Sequence, residues 1–86
     1  MNITMVDRVG PCRTGNLTKT LAEIEAVLGK ANCEDDPDKV KYSWGFEVDG
    51  KYAAIWDYKN SYTYDSFSTY DPDGVIDMLF NTKETV

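Results

Sequence analysis

The sequence predicts an α+β domain, with a small antiparallel β-meander of three or four strands and two helices packed on one face. One observation is helical apolar spacing behind a capping motif, beginning near residue 20. Another is a pair of segments with alternating apolar residues, joined by Asp49-Gly50. The 86 residues are enough for one small domain, 1–86.

The start of the chain gives a weak signal. Asn2–Val6 alternates only loosely, so residues 1–16 are predicted to form an N-terminal arm or an edge strand. Glycine, proline and asparagine then mark a loop before residue 17.

The first helix is predicted within Leu17–Gly29, starting at Leu17 or Leu21. In the second case Leu17–Lys19 is expected to be a short strand that leads into the helix. Thr20 and Glu23 have the spacing of a capping box, in which each side chain accepts a hydrogen bond from the other residue's backbone N–H. Apolar residues then recur on one helical face, and Gly29 stands where a left-handed C-cap is expected.

The central hairpin has the strongest signal in the chain. Residues 40–48 alternate strictly, and Asp49-Gly50 is the pair typical of a type I′ turn. A two-residue turn places Trp44 opposite Ile55 and Phe46 opposite Ala53, on the core face. The other face is unusually aromatic for a solvated surface. It is either covered by the N-terminal arm or offered to a partner.

The remainder predicts a third strand and a second helix. "YTYDSFSTY" at 62–70 alternates weakly. In "DPDG", Asp71 is the expected cap of a helix over about 72–81, with Pro72 in its first turn. Residues 82–86 are expected to fray.

The net charge limits the classes of partner. Acidic residues outnumber basic ones by 15 to 9, for a formal charge of −6. This balance argues against direct nucleic-acid binding and against docking on anionic membranes. The sequence shows no apolar run of transmembrane length and no signal peptide, so we expect a soluble, cytosolic protein.

The residue types argue against catalysis. There is no histidine, so Cys12 and Cys33 lack their usual general base and a zinc site lacks its usual ligands. Free thiols are favoured over a disulfide. The acidic loop lacks the spacing of a calcium loop. We therefore predict no catalytic residues, no metal, no cofactor and no enzymatic activity.

The hairpin also carries a family resemblance. Trp44 and Phe46 precede Asp49-Gly50, and Ile55-Trp56-Asp57-Tyr58-Lys59 follow it. This pattern resembles a group of small tailed-bacteriophage accessory proteins over roughly 17–80. The third strand departs from the group's pattern, which has a tryptophan followed by glycines. The resemblance implies a phage origin, a location in the host cytoplasm and an accessory function.

The leading functional hypothesis uses the acidic residues. Carboxylates on a small domain compete for the basic groove of a nucleic-acid enzyme. The chain is then an inhibitor of a host defence enzyme, of anti-CRISPR or anti-restriction type, and its partner is a host protein with a basic surface. The candidate contacts are Glu34, Asp35, Asp36, Asp38, Asp65, Asp71 and Asp73.

Two alternatives stay open. Aromatic rings with a lysine can stack a nucleobase and neutralise a phosphate, which suits an oligomeric sponge for a nucleotide signal. For the same residues, core packing and a homodimer interface are the simpler explanations, since tyrosine and tryptophan are enriched at interfaces. The residues of this aromatic set are Tyr42, Trp56, Tyr58, Lys59, Tyr62 and Tyr64. The last alternative is a minor phage assembly factor.

Overall fold

The computed structural model describes residues 2–6, 13–32, 42–59 and 61–80. It has the predicted α+β class, with one five-stranded antiparallel sheet and two short α-helices. In chain order the elements are β1 (Ile3–Val6), β2 (Gly15–Leu17), α1 (Leu21–Leu28), β3 (Ser43–Val48), β4 (Lys51–Trp56), a 3-10 helix (Ser61–Tyr64), β5 (Phe67–Tyr70) and α2 (Val75–Phe80).

The sheet has the strand order β1-β3-β4-β5-β2. The predicted meander, β3-β4-β5, forms its centre, and the two N-terminal strands lie at opposite edges. The edge-strand alternative for the N terminus is therefore confirmed at Ile3–Val6. The short strand predicted at Leu17–Lys19 lies two residues earlier, as β2, because a segment of three residues is too short for alternation to fix its position. With β2 the sheet has five strands rather than three or four.

The β3–β4 hairpin has the predicted register. Trp44 pairs with Ile55 and Phe46 with Ala53. Asp49 and Gly50 have φ of 52° and 85°, the left-handed backbone that a type I′ turn requires at both positions. The hairpin therefore follows from its turn residues and its alternation alone.

The main core gathers side chains from the sheet and both helices. Ile24 of α1 and Ile76 of α2 belong to the same cluster as Trp44, Phe46 and Phe67. The ring of Phe67 meets Trp44 edge-on, with centroids 5.9 Å apart. That the two helices pack side by side on one face stays a prediction.

Helix α1 begins at Leu21, the later of the two predicted starts. Its capping box is confirmed: Glu23 N–H donates to Thr20 Oγ1 at 3.0 Å, and Thr20 N–H donates to Glu23 Oε1 at 2.9 Å. Gly29 ends the helix, and its N–H donates to the Glu25 carbonyl oxygen at 2.8 Å. Its φ of 79° favours glycine, but its ψ of −170° is not that of the predicted left-handed C-cap. Leu17 belongs to β2, so the earlier start is wrong.

Two predicted elements near the C terminus are shorter than expected. The strand predicted over 62–70 begins only at Phe67, because residues 61–64 form a 3-10 helix. Helix α2 begins at Val75 rather than at residue 72, because 72–73 form a turn that ends on Gly74 with a φ of 74°. Asp71 still acts as the cap: its carboxylate accepts the N–H groups of Val75 and Ile76 at 2.7 and 3.1 Å.

Several predictions fall outside the described residues. They concern the state of Cys12 and Cys33 and the fraying of 82–86. Of the helices that the structure describes, none has the length and apolar character needed to cross a bilayer.

Candidate functional site

The β4–β5 connection begins at Asp57, which is hydrogen-bonded to the residue before β3. Asp57 follows β4 and is fully buried. Its N–H donates to the Tyr42 carbonyl oxygen at 3.0 Å, and its Oδ1 accepts the Tyr42 N–H at 2.5 Å. This reciprocal pair holds the chain just before β3 against the chain just after β4, and so fixes where the connection leaves the sheet.

Ser61 organises the turn that follows. Its hydroxyl accepts the Tyr58 N–H at 3.1 Å, and its own N–H donates to the Tyr58 carbonyl oxygen at 3.3 Å. Its carbonyl oxygen accepts the Ser66 N–H at 3.2 Å. One buried serine therefore ties both ends of the segment 58–66 together.

Two residues of this connection have a sparsely populated backbone conformation. Lys59 and Asp65 have φ of 55° and 58°, in the left-handed region that disfavours side chains with a Cβ. Such a conformation persists only where its surroundings hold it. The bonds between Tyr58 and Ser61 span Lys59, and the bond between Ser61 and Ser66 spans Asp65, so they supply that restraint.

The outer side of the connection presents two tyrosines. Tyr64 is 68% exposed and Tyr58 is 46% exposed. The Lys59 ammonium lies 5.3 Å from the centroid of the Tyr58 ring, within cation–π range. Asp65 is exposed beside them. We call Tyr58, Lys59, Tyr64 and Asp65 the tyrosine loop. Tyr62 belongs to the 3-10 helix within the same connection.

The predicted aromatic residues do not share one face. Tyr42 stacks on Trp44, with centroids 6.3 Å apart, and packs against the main core. Trp56 belongs to a separate small cluster around Ala54. Strand alternation places Tyr42 and Trp56 on opposite faces of the sheet. Of the described side chains of this set, those of Tyr58, Lys59 and Tyr64 belong to one connection, the tyrosine loop.

The second face of the sheet is partly covered by its own tyrosines. The rings of Tyr52 and Tyr70 lie 5.9 Å apart and pack with Ala54, which is fully buried, and Trp56, which is 8% exposed. The described part of the N-terminal arm extends the sheet as an edge strand. The prediction overlooked Tyr70, whose cross-strand pairing with Ala54 depends on the β4–β5 register.

The predicted acidic residues occupy separate places. Asp65 precedes the four-residue strand β5, whereas Asp71 and Asp73 follow it, so they lie at its opposite ends. Asp71 caps α2, and Asp73 is exposed. The rest of the set lies outside the described residues: Glu34, Asp35, Asp36 and Asp38.

The described side chains bring together no group of three or more histidine, cysteine, aspartate or glutamate residues able to hold a metal ion. Comparisons with protein-family models, with curated proteins and with solved structures find no match for this chain. The tyrosine loop is therefore the candidate site on its geometry alone.

Proposed function

We propose that this chain is a non-enzymatic binding protein of phage type that inhibits a host defence or nucleic-acid enzyme by protein–protein contact in the host cytoplasm. The observation that supports it is the tyrosine loop, which exposes Tyr58 and Tyr64 on a turn restrained by hydrogen bonds. Tyrosine is among the residues most enriched at protein interfaces and among their energetic hot spots.

The hydrogen bonds at Ser61 favour binding because they reduce the conformational entropy that the loop loses when a partner binds. A side chain presented on a mobile loop loses that freedom when it binds, which weakens the complex. Here the turn is tied at Tyr58 and at Ser66 before any partner arrives. Tyrosine adds a large contact area with few rotatable bonds. Most of the ordering cost is therefore met in the free protein.

The charge supports a basic partner. A chain of formal charge −6 is attracted to a positive surface over several ångströms, which raises the rate of encounter. Asp65 places a carboxylate within the tyrosine loop itself. A basic nucleic-acid groove has both the charge and the width to receive a small acidic domain. Binding through such contacts weakens as the salt concentration rises.

The two alternative functions stay predictions. The hypothesis of a nucleotide sponge places five aromatic residues and Lys59 around one ligand. Two of those aromatic residues, Tyr42 and Trp56, lie on opposite faces of the sheet. The assembly-factor hypothesis draws on no particular side chain. The tyrosine loop favours the inhibitor over both.

The test is phage infection of bacterial strains that each carry one restriction enzyme or one CRISPR effector. Expression of this chain is expected to restore plaque formation in at least one strain. The double variant Tyr58→Ser, Tyr64→Ser is expected to lose that protection. The matched control is Val27→Ser with Met78→Ser, which alters two exposed apolar positions on the helices. Restoration in no strain, or equal protection by the two double variants, would overturn the proposal.

A further inference from the structure

Within residues 2–6, 13–32, 42–59 and 61–80, no strand pairs with the outer edge of β1. β1 lies at one end of the strand order and pairs with β3. The Asp49 N–H donates to the Asn2 carbonyl oxygen at 2.9 Å. In an antiparallel ladder, bonding then alternates, so Thr4 also bonds toward β3 while the N–H and C=O groups of Ile3 and Met5 point outward. Four backbone groups line this edge.

Both ends of β1 are held in place. At one end the Asn2 N–H donates to Asp49 Oδ1 at 2.9 Å. At the other end the Asn32 amide group bridges the two strands: its nitrogen donates to the carbonyl oxygens of Val6 and Gly45 at 2.9 and 3.3 Å, and its oxygen accepts the Gly45 N–H at 3.2 Å. These bonds hold β1 in an extended conformation on β3, ready to pair with another strand.

The two sheet edges differ in how they resist pairing. Proteins protect edge strands with charge, proline or very short length. β2 has three residues, and Arg13 lies along it, with Nε donating to Gly15 O at 3.2 Å and to Asn16 Oδ1 at 3.0 Å. The segment Asn2–Val6 contains neither a charged residue nor a proline. Among the strands that the structure describes, the β1 edge therefore has the weaker protection against pairing with another strand.

We propose that β1 pairs antiparallel with β1 of a second copy of this chain, about a two-fold axis at Thr4. In this register Ile3 of each copy lies opposite Met5 of the other. Each of these two pairs exchanges two hydrogen bonds, so all four outward groups are satisfied. The result is one continuous sheet of ten strands, five from each copy.

The side chains favour a second copy as the occupant. Met5 already packs against the main core, and Ile3 is 36% exposed, so the register joins apolar side chains on the core face. On the other face Thr4 meets Thr4 of the second copy, a favourable cross-strand pair. Because the segment is uncharged, pairing brings no like charges opposite each other despite −6 on each copy. A basic partner finds no carboxylate on this strand.

The first test is sedimentation of the protein over a concentration series. We expect a monomer–dimer equilibrium. Ile3→Pro removes an outward N–H and no bond to β3, and Ile3→Lys adds a charge to the edge. Both variants are expected to be monomeric with an unchanged far-ultraviolet circular dichroism spectrum, whereas the control Val27→Lys on α1 is expected to dimerise normally. A wild-type protein that is monomeric throughout, or an Ile3→Lys variant that dimerises normally, would overturn the proposal.

Cysteine crosslinking tests the register. In a Cys12→Ser, Cys33→Ser background, Thr4→Cys places the two thiols at a non-hydrogen-bonded pair, with Cα atoms about 4.5 Å apart and within disulfide reach. Asn2→Cys is the matched control, because its two copies stand about 14 Å apart in this register. Mild oxidation is expected to join Thr4→Cys chains alone. Equal crosslinking of the two variants, or crosslinking of Asn2→Cys alone, contradicts the proposal. A dimer of a different register would give such a result. Pairing of β1 with another protein's strand would leave both variants uncrosslinked, which contradicts the proposal as well.

Discussion

The indole N–H of Trp44 donates to the carbonyl oxygen of Gly29 at 2.9 Å. Trp44 is fully buried near the start of β3, and Gly29 ends α1. A buried indole without a partner is costly, and so is an unpaired carbonyl at a helix end. One bond satisfies both groups and anchors the end of the helix to the centre of the sheet.

Trp44→Phe is expected to lower the free energy of unfolding by about 2–4 kcal/mol, because it removes this bond and leaves a cavity beside Phe67. Urea denaturation measures the change. The control Tyr64→Phe, at an exposed ring, is expected to stay within about 0.5 kcal/mol of the wild type. A loss for Trp44→Phe no larger than the control's would show that the anchor contributes nothing.

The hairpin could be predicted from the sequence because its determinants are local. Asp49-Gly50 sets the turn, and the turn sets the register through Trp44 and Phe46. The exact position of β2 could not be predicted, because it depends on pairing with β5, which is distant in the sequence. The predicted start of α2 was wrong for a related reason. Asp71 caps the helix across an intervening turn rather than from the adjacent position.

Two buried serines are expected to respond oppositely to alanine. Within the described part of the chain, the Ser43 hydroxyl makes no hydrogen bond, whereas the Ser61 hydroxyl accepts one from Tyr58. Ser43→Ala is therefore expected to leave the free energy of unfolding unchanged or to raise it by up to about 1 kcal/mol. Ser61→Ala is expected to lower it by about 1 kcal/mol. Equal losses in urea denaturation would contradict this difference.

Asp71 is expected to matter for stability rather than for partner binding. Asp71→Ala leaves the N–H groups of Val75 and Ile76 without their acceptor and is expected to cost about 1–2 kcal/mol. Asp73→Ala, at an exposed position in the same turn, is expected to change stability by less than about 0.5 kcal/mol. Thermal unfolding of both variants compares their stabilities. A larger loss of stability for Asp73→Ala than for Asp71→Ala would refute the prediction.

The capping box is expected to make stability depend on pH. The Thr20 backbone N–H lowers the pKa of Glu23 below its ordinary value of 4.5; burial opposes this, and the Thr20 hydroxyl and Lys19 add to it. A lowered folded pKa means that the carboxylate stabilises the fold fully above pH 4.5 and loses this effect as pH falls through the lower value.

The measurement is the urea midpoint of the wild type and of Glu23→Gln at several pH values. At pH near 7 the wild type is expected to have the higher urea midpoint. The difference between the two midpoints is expected to disappear in acid. Glu25→Gln on the same helix lies outside the cap and serves as the control. A gap between wild type and Glu23→Gln that widens as pH falls would reverse the predicted sign.

The candidate site was partly visible in the sequence. The sequence predicts Tyr58, Lys59 and Tyr64 as members of the aromatic set and Asp65 as a member of the acidic set. Their separation from Tyr42 and Trp56 depends on which face each strand residue occupies. The role of Ser61 could not be predicted from the sequence. Serine is common in turns, and the bonds of this one depend on the fold of the connection.

Site-specific photocrosslinking in living host cells tests the central claim, that the tyrosine loop contacts a host protein. Benzoylphenylalanine replaces Tyr64 in one variant and Val27 in another, since both positions are exposed. The proposed function predicts an adduct with one host protein, basic in surface charge, from position 64 and none from position 27. No adduct from position 64, or the same adduct from both positions, would contradict it.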